Sequence, residues 1–157
     1  MRWVLFPVQM RRPLKGMPVK ILVVDDDPTC RTIVAIRLKG LGGIEVTQAA
    51  DGDEAWALLK RNHYDGAVVD WQMPGKSGLE IIRAIRQAGI AIPLLMVTAE
   101  SEKERVIEAI HAGITDYLIK PFDSETLLAK LGKFVELTRS KIIRSAGVAP
   151  ASPVLQA

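Results

Sequence analysis

The sequence predicts an α/β fold in which helices cover both faces of a five-stranded parallel sheet. Between residues 19 and 138, short apolar runs alternate five times with longer segments of helical periodicity. The inner runs are apolar throughout, which is typical of parallel strands that are buried on both faces. The connecting segments are short and carry helix-capping residues or glycine. These observations together favour a doubly wound domain.

The first strand and helix follow from one stretch of sequence. Residues 20–24, KILVV, form an apolar run rich in β-branched residues. Asp27 and Pro28 come next, and they suit the N-cap and the first position of a helix. The apolar periodicity then continues to Gly40, where we expect the helix to end.

The second strand alternates in polarity, whereas the third does not. Residues 44–49, IEVTQA, alternate as a half-buried edge strand would. Either Asp51 or Asp53 can open the helix that follows, which runs through Leu59. Residues 66–70, GAVVD, are apolar up to their aspartate and predict a central strand.

The next two helices are bounded by caps and glycines. A helix is predicted over residues 79–88, closed by Gly89, and a fourth strand over residues 92–97, IPLLMV. The segment 101–104, SEKE, has the spacing of a capping box for a helix that continues to Gly113.

The last unit completes the domain. Residues 116–119, DYLI, predict a fifth strand, and Asp123 is placed to cap an amphipathic helix that continues to Leu137. We therefore expect one domain over residues 19–138.

Charge is distributed unevenly along the chain. Residues 1–18 contain four basic and no acidic residues, residues 139–157 contain three basic and no acidic ones, and the total is +3. The body at 19–138 is therefore mildly acidic, which argues against direct binding of nucleic acid. We expect the basic N-terminal arm and the C-terminal segment to be flexible. With one cysteine, Cys30, and no apolar run long enough to span a bilayer, a cytoplasmic location is expected.

Polar residues follow four of the five predicted strands. Asp25 and Asp26 end the first, Asp70 the third, Thr98 the fourth and Lys120 the fifth. The carboxyl ends of parallel strands share one edge of the sheet, where ligands bind at the point at which the strand order reverses. Three carboxylates that meet there need a cation, and Mg²⁺ suits such oxygen ligands.

The chemistry of this set is phosphoryl transfer. A carboxylate can act as nucleophile while a metal neutralises the phosphoryl oxygens. Lys120 adds a second cation and Thr98 a hydroxyl donor. The expected intermediate is an aspartyl phosphate.

Four stretches, VVDDDPTCRTIV, VVDWQMPGKSG, MVTAE and GITDYLIKPF, resemble the receiver domain of two-component response regulators. The resemblance covers residues 19–138, and DWQMPGKSG and DYLIKPF are most similar to the single-domain chemotaxis branch. It implies the flavodoxin-like (βα)5 fold with strand order 2-1-3-4-5. The basic arm at 1–18 and the tail at 139–157 lie outside the family pattern.

The resemblance also implies residue roles. Asp70 would accept the phosphoryl group, Asp25 and Asp26 would hold Mg²⁺ with Asp70 and the Gln72 main-chain carbonyl, and Lys120 would pair with the phosphoryl group. The chain would then be a phosphoacceptor that assists its own phosphorylation and slow dephosphorylation, rather than an enzyme acting on other substrates. The side chain of Gln72 is uncharged, so no unusual acceleration of dephosphorylation is expected.

Further implications concern the conformational switch and the partners. Thr98 would move toward the phosphoryl group, Tyr117 would swing inward with it, and the peptide bond between Lys120 and Pro121 would be cis. A histidine kinase or phosphotransfer protein would be the donor. A downstream protein would bind the face formed by residues 99–122, and the chain would be a monomer or a weak dimer.

Three alternatives remain open at this stage. Residues 25–29, DDDPT, also fit the D-x-D-x-T pattern of haloacid-dehalogenase-like phosphatases, with Asp25 as nucleophile and Asp27 as general acid/base. That family needs further acidic metal ligands after Lys120, and Asp70 would have no role. A receiver that only binds partners, or a receiver from a larger regulator with an output domain elsewhere, is also compatible with the sequence.

Overall fold

The computed structural model describes residues 16–145 and has five strands that alternate with five helices. Residues 1–15 and 146–157, and with them most of the predicted basic arm and C-terminal tail, lie outside the described residues. The strands are β1 (Val19–Val24), β2 (Ile44–Ala49), β3 (Gly66–Val69), β4 (Leu94–Thr98) and β5 (Asp116–Ile119). The helices are α1 (Pro28–Gly40), α2 (Gly52–Arg61), α3 (Gly78–Gln87), α4 (Lys103–Ala112) and α5 (Ser124–Ser145).

All five strands are parallel, and their order is β2-β1-β3-β4-β5. The predicted strand order is therefore confirmed. The order reverses between β1 and β3, whose register pairs Val24 with Val69. The next residue of each strand is an aspartate, so Asp25 and Asp70 lie side by side at the carboxyl end of the sheet.

Helices cover both faces of the sheet, as predicted. Side chains of α1 and α5 pack on one face with Ile21 and Leu95 at its centre, and those of α2, α3 and α4 pack on the other with Leu22 and Leu94. Alternate residues of each central strand therefore enter opposite clusters, which is why the central strands are apolar throughout. This two-sided burial fixes the strand ends that form the site.

Three helix starts follow the predicted capping chemistry. Asp27 caps α1, with Pro28 at its first position, and Asp51 rather than Asp53 caps α2. Asp123 accepts a hydrogen bond from the amide of Thr126 at 2.7 Å, which caps the start of α5. In each case a carboxylate satisfies an amide that has no partner within the helix.

The start of α4 differs from the prediction. The capping box expected over 101–104 is absent: Glu102 is the N-cap residue and makes no side-chain cap hydrogen bond. The loop is held instead by Glu100, whose Oε1 accepts from the amide of Glu102 at 3.1 Å. A capping box does form at α3, between Ser77 and Glu80.

The fourth strand and the last helix also differ in extent. β4 begins at Leu94, two residues later than predicted. α5 continues to Ser145, so residues 139–145, assigned from the sequence to a flexible tail, belong to a helix. The extension is held by Arg139, which donates to the carbonyl of Gly42 at 2.7 Å. It is also held by Ile142, which packs against the apolar cluster between the sheet and helices α1 and α5. Within residues 16–145, no helix combines the length and apolar character needed to cross a bilayer.

Candidate functional site

Three carboxylates meet at the carboxyl end of β1 and β3. One oxygen from each of Asp25, Asp26 and Asp70 lies within 4.8 Å of the others. Asp25 and Asp70 are buried, at 3% and 6% exposure, whereas Asp26 is exposed. Like charges at this distance repel strongly when they are shielded from water, so the cluster suits a divalent cation with oxygen ligands. The structure thus brings together three of the predicted ligand residues.

The backbone around Asp25 fixes the direction of its carboxylate. Its amide donates to the carbonyl of Ala49 at 3.2 Å, and its own carbonyl accepts from the guanidinium of Arg31 at 2.6 Å. Its Oδ1 accepts from the amide of Asp27 at 2.9 Å. Asp25 is therefore held from both neighbouring elements, β2 and α1.

Lys120 reaches the same cluster from the end of β5. Its Nζ lies 2.9 Å from Oδ2 of Asp25 and 3.5 Å from Oδ2 of Asp70. The amide of Lys120 donates to the carbonyl of Thr98 at 2.8 Å, and the peptide bond to Pro121 is cis, as the resemblance implied. The ammonium of Lys120 is thus close enough to pair with both buried carboxylates.

The net effect of burial and neighbouring charges is to raise the pKa values of both Asp70 and Lys120. Burial, together with the charge of Asp25, raises the pKa of Asp70 to about 6, although Lys120 opposes the shift. Burial alone would lower the pKa of Lys120, but its hydrogen bond with Asp25 and the charge of Asp70 raise it above its usual range. Near neutral pH, Asp70 is therefore mostly ionised and Lys120 is charged.

Cys30 lies beside the pocket without the properties of a nucleophile. Burial and a hydrogen bond with Asp25 raise the pKa of its thiol to about 12. A thiol that stays protonated is a weak nucleophile. The buried side chain of Cys30 therefore serves as a small core residue.

The wall of the pocket depends on Gly78. The amide of Gly78 donates to the carbonyl of Trp71 at 2.8 Å, which closes the loop that follows Asp70. A Cβ at position 78 would lie 1.9 Å from the carbonyl oxygen of Asp70 and 2.9 Å from the Cα of Trp71. Only glycine lets α3 begin this close to the backbone of Asp70.

Thr98 and Tyr117 are connected through the backbone of Glu100. Thr98 is fully buried, and its Oγ1 accepts a hydrogen bond from the amide of Glu100 at 3.2 Å. The hydroxyl of Tyr117 donates to the carbonyl of Glu100. Because Oγ1 accepts from this amide, the hydroxyl proton of Thr98 is available to a further acceptor. The two predicted switch residues thus share one loop residue.

A contact between Arg105 and Trp71 was not predicted from the sequence. The guanidinium of Arg105 lies over the Trp71 ring, 5.7 Å from its centroid, and Trp71 is 5% exposed. The Nε of Arg105 also lies 3.5 Å from Oε2 of Glu100. The sequence offered one signal, a cation in the first turn of α4, where the helix dipole disfavours positive charge.

Two predicted residues have other surroundings. Asp27, the general acid/base of the phosphatase alternative, uses its Oδ1 to accept from the amide of Thr29 at 3.0 Å and so caps α1. Gln72 lies in the exposed loop two residues after Asp70. Its assignment as a metal ligand through the main-chain carbonyl stays a prediction.

Comparison with known proteins agrees with this geometry. The family described as response regulator receiver domain matches residues 21–132. The chain belongs to this family. The chemotaxis protein CheY-3 of Vibrio cholerae is 42% identical over 120 residues, which are 75% of this chain and 92% of that protein. The chemotaxis protein CheY of Pseudomonas aeruginosa is 40% identical over 120 residues, which are 75% of this chain and 97% of that protein.

A solved structure extends the similarity to three dimensions. The chemotaxis response regulator CheY4 of Vibrio cholerae superimposes with a TM-score of 0.68 at 37% identity, covering 75% of this chain and 99% of that one. The receiver fold and the role of a phosphoacceptor in two-component signalling follow from family membership. The phosphatase alternative is therefore wrong, which agrees with the capping role of Asp27.

Proposed function

We propose that this receiver domain accepts a phosphoryl group on Asp70 and signals through the loop that joins Thr98 to Tyr117. The observation that carries the proposal is the meeting of Asp70 with two further carboxylates and the ammonium of Lys120. Asp25, Asp26 and Asp70, with the Gln72 carbonyl, would hold Mg²⁺.

The contacts of the two buried carboxylates favour Asp70 as nucleophile. Both oxygens of Asp25 have close partners, the amide of Asp27 at 2.9 Å and the ammonium of Lys120 at 2.9 Å. The distance from Lys120 to Asp70 is longer, 3.5 Å. An oxygen that gives its electron pair to phosphorus must not be committed to strong hydrogen bonds, so Asp70 is the better nucleophile.

The transfer step is a displacement at phosphorus. A carboxylate oxygen of Asp70 forms a new bond to phosphorus while the bond from phosphorus to the donor breaks, and the donor leaves with that electron pair. The donor is a phosphohistidine of a histidine kinase or phosphotransfer protein, or a small acyl phosphate. When bound, Mg²⁺ neutralises negative charge on the phosphoryl oxygens.

The residues of the chain supply the remaining stabilisation. Lys120 already lies between Asp25 and Asp70, so little reorganisation is needed for its ammonium to pair with a phosphoryl oxygen. Thr98 can donate its hydroxyl proton to another phosphoryl oxygen. The chain thereby assists its own phosphorylation and its slow dephosphorylation, and we propose that it is not an enzyme toward other substrates.

The switch follows from the hydrogen bonds of Glu100. If Thr98 turns toward a phosphoryl group, the amide of Glu100 loses its acceptor and the carbonyl of Glu100 moves with it. Tyr117, which donates to that carbonyl, is then released to move inward. Phosphorylation thus shifts the equilibrium between two arrangements of the loop that contains Glu100.

The face formed by residues 99–122 suits a protein partner. It exposes Ile107, Ile110 and Ile119, at 41%, 55% and 43% of their surface. Clustered exposed apolar side chains favour protein contacts. By analogy with the chemotaxis proteins that it resembles, we propose a cytoplasmic regulator that binds a downstream protein, without direct contact to nucleic acid, as a monomer or weak dimer.

Phosphotransfer tests this proposal directly. The protein is incubated with acetyl phosphate, with and without Mg²⁺, and its intact mass is followed over time. We expect one labile adduct that requires Mg²⁺ and that is lost in Asp70→Asn. Asp27→Asn is the matched control and should still form the adduct. A normal adduct on Asp70→Asn would overturn the assignment.

A further inference from the structure

The side chain of Arg105 joins two parts of the site that lie on different elements. Its guanidinium lies over the ring of Trp71, the residue after Asp70. Its Nε also pairs with the carboxylate of Glu100, two residues after Thr98. Arg105 itself belongs to the first turn of α4. It therefore connects the loop after β3 with the loop after β4.

Glu100 is the residue that this contact holds in place. Its carboxylate side chain is only 12% exposed, and its Oε1 accepts from the amide of Glu102 at 3.1 Å. Its Oε2 lies 3.5 Å from Arg105. Because α4 lacks a side-chain cap, these are the two side-chain contacts of Glu100 that tie the loop to the start of the helix. Removing the cation would leave a largely buried carboxylate without its counter-ion.

The position of Arg105 has no explanation in the stability of α4 alone. A cation in the first turn of a helix is disfavoured by the helix dipole. A guanidinium over an indole and beside a carboxylate gains both a cation–π contact and an ion pair. The contacts that stabilise Arg105 in this position, with Trp71 and Glu100, lie beside the phosphoryl pocket. This placement indicates that Arg105 has a role in the pocket.

The role that we infer for Arg105 concerns the negative charge around the phosphoryl pocket. The pocket already contains the three carboxylates of Asp25, Asp26 and Asp70. Glu100 adds a fourth negative group on the loop after β4, where its amide donates to the hydroxyl of Thr98. Phosphoryl donors are anions, so an unpaired charge there would repel the donor as well as the phosphoryl group on Asp70.

We propose that Arg105 is a positioning residue for phosphoryl transfer: stacked on Trp71, it pairs with the carboxylate of Glu100 and so keeps the charge of Glu100 off the incoming phosphoryl group. This inference rests on the proposed function of Asp70. It makes the transfer rate depend on a residue outside the predicted set of metal ligands and phosphoryl-binding groups.

The test uses Arg105→Met, which keeps the length of the side chain and removes its charge. We expect the initial rate of labelling by acetyl phosphate to fall about three- to tenfold, because the unpaired charge of Glu100 would repel the dianionic donor. The control is Arg83→Met, which makes the same change of charge at an exposed position of α3, away from the pocket. This variant should keep the wild-type rate.

Two further readouts separate positioning from structural damage. The Mg²⁺ dissociation constant of Arg105→Met should be unchanged or lower, because the extra negative charge attracts the cation. Adding Glu100→Gln to Arg105→Met removes the unpaired charge and should restore the rate to within about twofold of wild type. A damaged pocket would bind Mg²⁺ more weakly and would not be rescued by Glu100→Gln.

The outcomes also separate this inference from the proposed function. Wild-type protein and Asp70→Asn are labelled in parallel. If the wild type forms no adduct, or Asp70→Asn forms one, the proposed function fails. If the wild type is labelled on Asp70 but Arg105→Met is labelled at the same rate, or at a lower rate that Glu100→Gln does not restore, the inference about Arg105 is overturned.

Discussion

The contact between Gly78 and the backbone of Asp70 predicts that Gly78→Ala is severely damaging. The added Cβ would lie 1.9 Å from the carbonyl oxygen of Asp70, where carbon and oxygen atoms in contact need about 3.4 Å or more. Either α3 or the backbone of Asp70 must move by more than 1 Å, and the 2.8 Å hydrogen bond from Gly78 to Trp71 would be strained. Overpacking and the weakened bond together should cost about 2–4 kcal/mol.

Gly132→Ala provides the matched control. Gly132 lies inside α5 with nothing within 4 Å of the added Cβ, so alanine should stabilise the protein by about 0.5–1 kcal/mol. Both variants are compared by urea unfolding and by the rate of labelling with acetyl phosphate. Displacement of the nucleophile by about 1 Å should slow labelling about a hundredfold in Gly78→Ala. The reasoning is refuted if Gly78→Ala unfolds and is labelled as Gly132→Ala does.

Three more predictions follow from the site and its surroundings. Mg²⁺ at a hundred times its dissociation constant should raise the free energy of unfolding by about 2.7 kcal/mol, and Asp26→Asn should remove most of this gain in urea titrations; an equal gain in the variant would exclude Asp26 as a ligand. Phosphorylation should speed hydrogen exchange at the amide of Glu100, which Thr98 now protects, whereas Thr98→Val should exchange quickly in both states; unchanged protection on phosphorylation would contradict the switch. Burial raises the pKa of Asp116, but hydrogen bonds, first that from Lys130, hold it below its usual value, so its stabilising contribution should be present above about pH 4 and be lost as the pH falls through the folded value. Asp116→Asn should therefore cost about 1 kcal/mol at pH 7 and progressively less in acid, as measured by urea unfolding; a cost independent of pH would count against the ion pair.

The fold and the composition of the pocket could be predicted because they rest on short-range rules. Apolar runs between helical segments fix a parallel sheet, and a parallel sheet brings its strand ends to one edge. The meeting of Asp25, Asp70 and Lys120 also needs the strand order, which the family resemblance implied and the structure confirms. Their roles in phosphoryl transfer stay predictions that the proposed experiments test.

The features that were missed depend on tertiary contacts. The segment 101–104 matches a capping box locally, but the side chain of Glu100 satisfies the loop instead. The extension of α5 depends on Arg139 reaching the carbonyl of Gly42, a contact between residues far apart in the sequence. The stacking of Arg105 on Trp71 likewise depends on where the first turn of α4 lies relative to the loop that follows β3. No periodicity or motif in the sequence encodes these distances.

The most direct test of the central claim is to locate the phosphoryl group at residue level. The protein is phosphorylated by acetyl phosphate with Mg²⁺, the acyl phosphate is reduced with borohydride, and the modified residue is identified by peptide mass. The account predicts modification of Asp70 alone, and none when Mg²⁺ is removed by a chelator. Modification of Asp25 instead of Asp70 would contradict it, because Asp25 would then be the nucleophile rather than a ligand beside it.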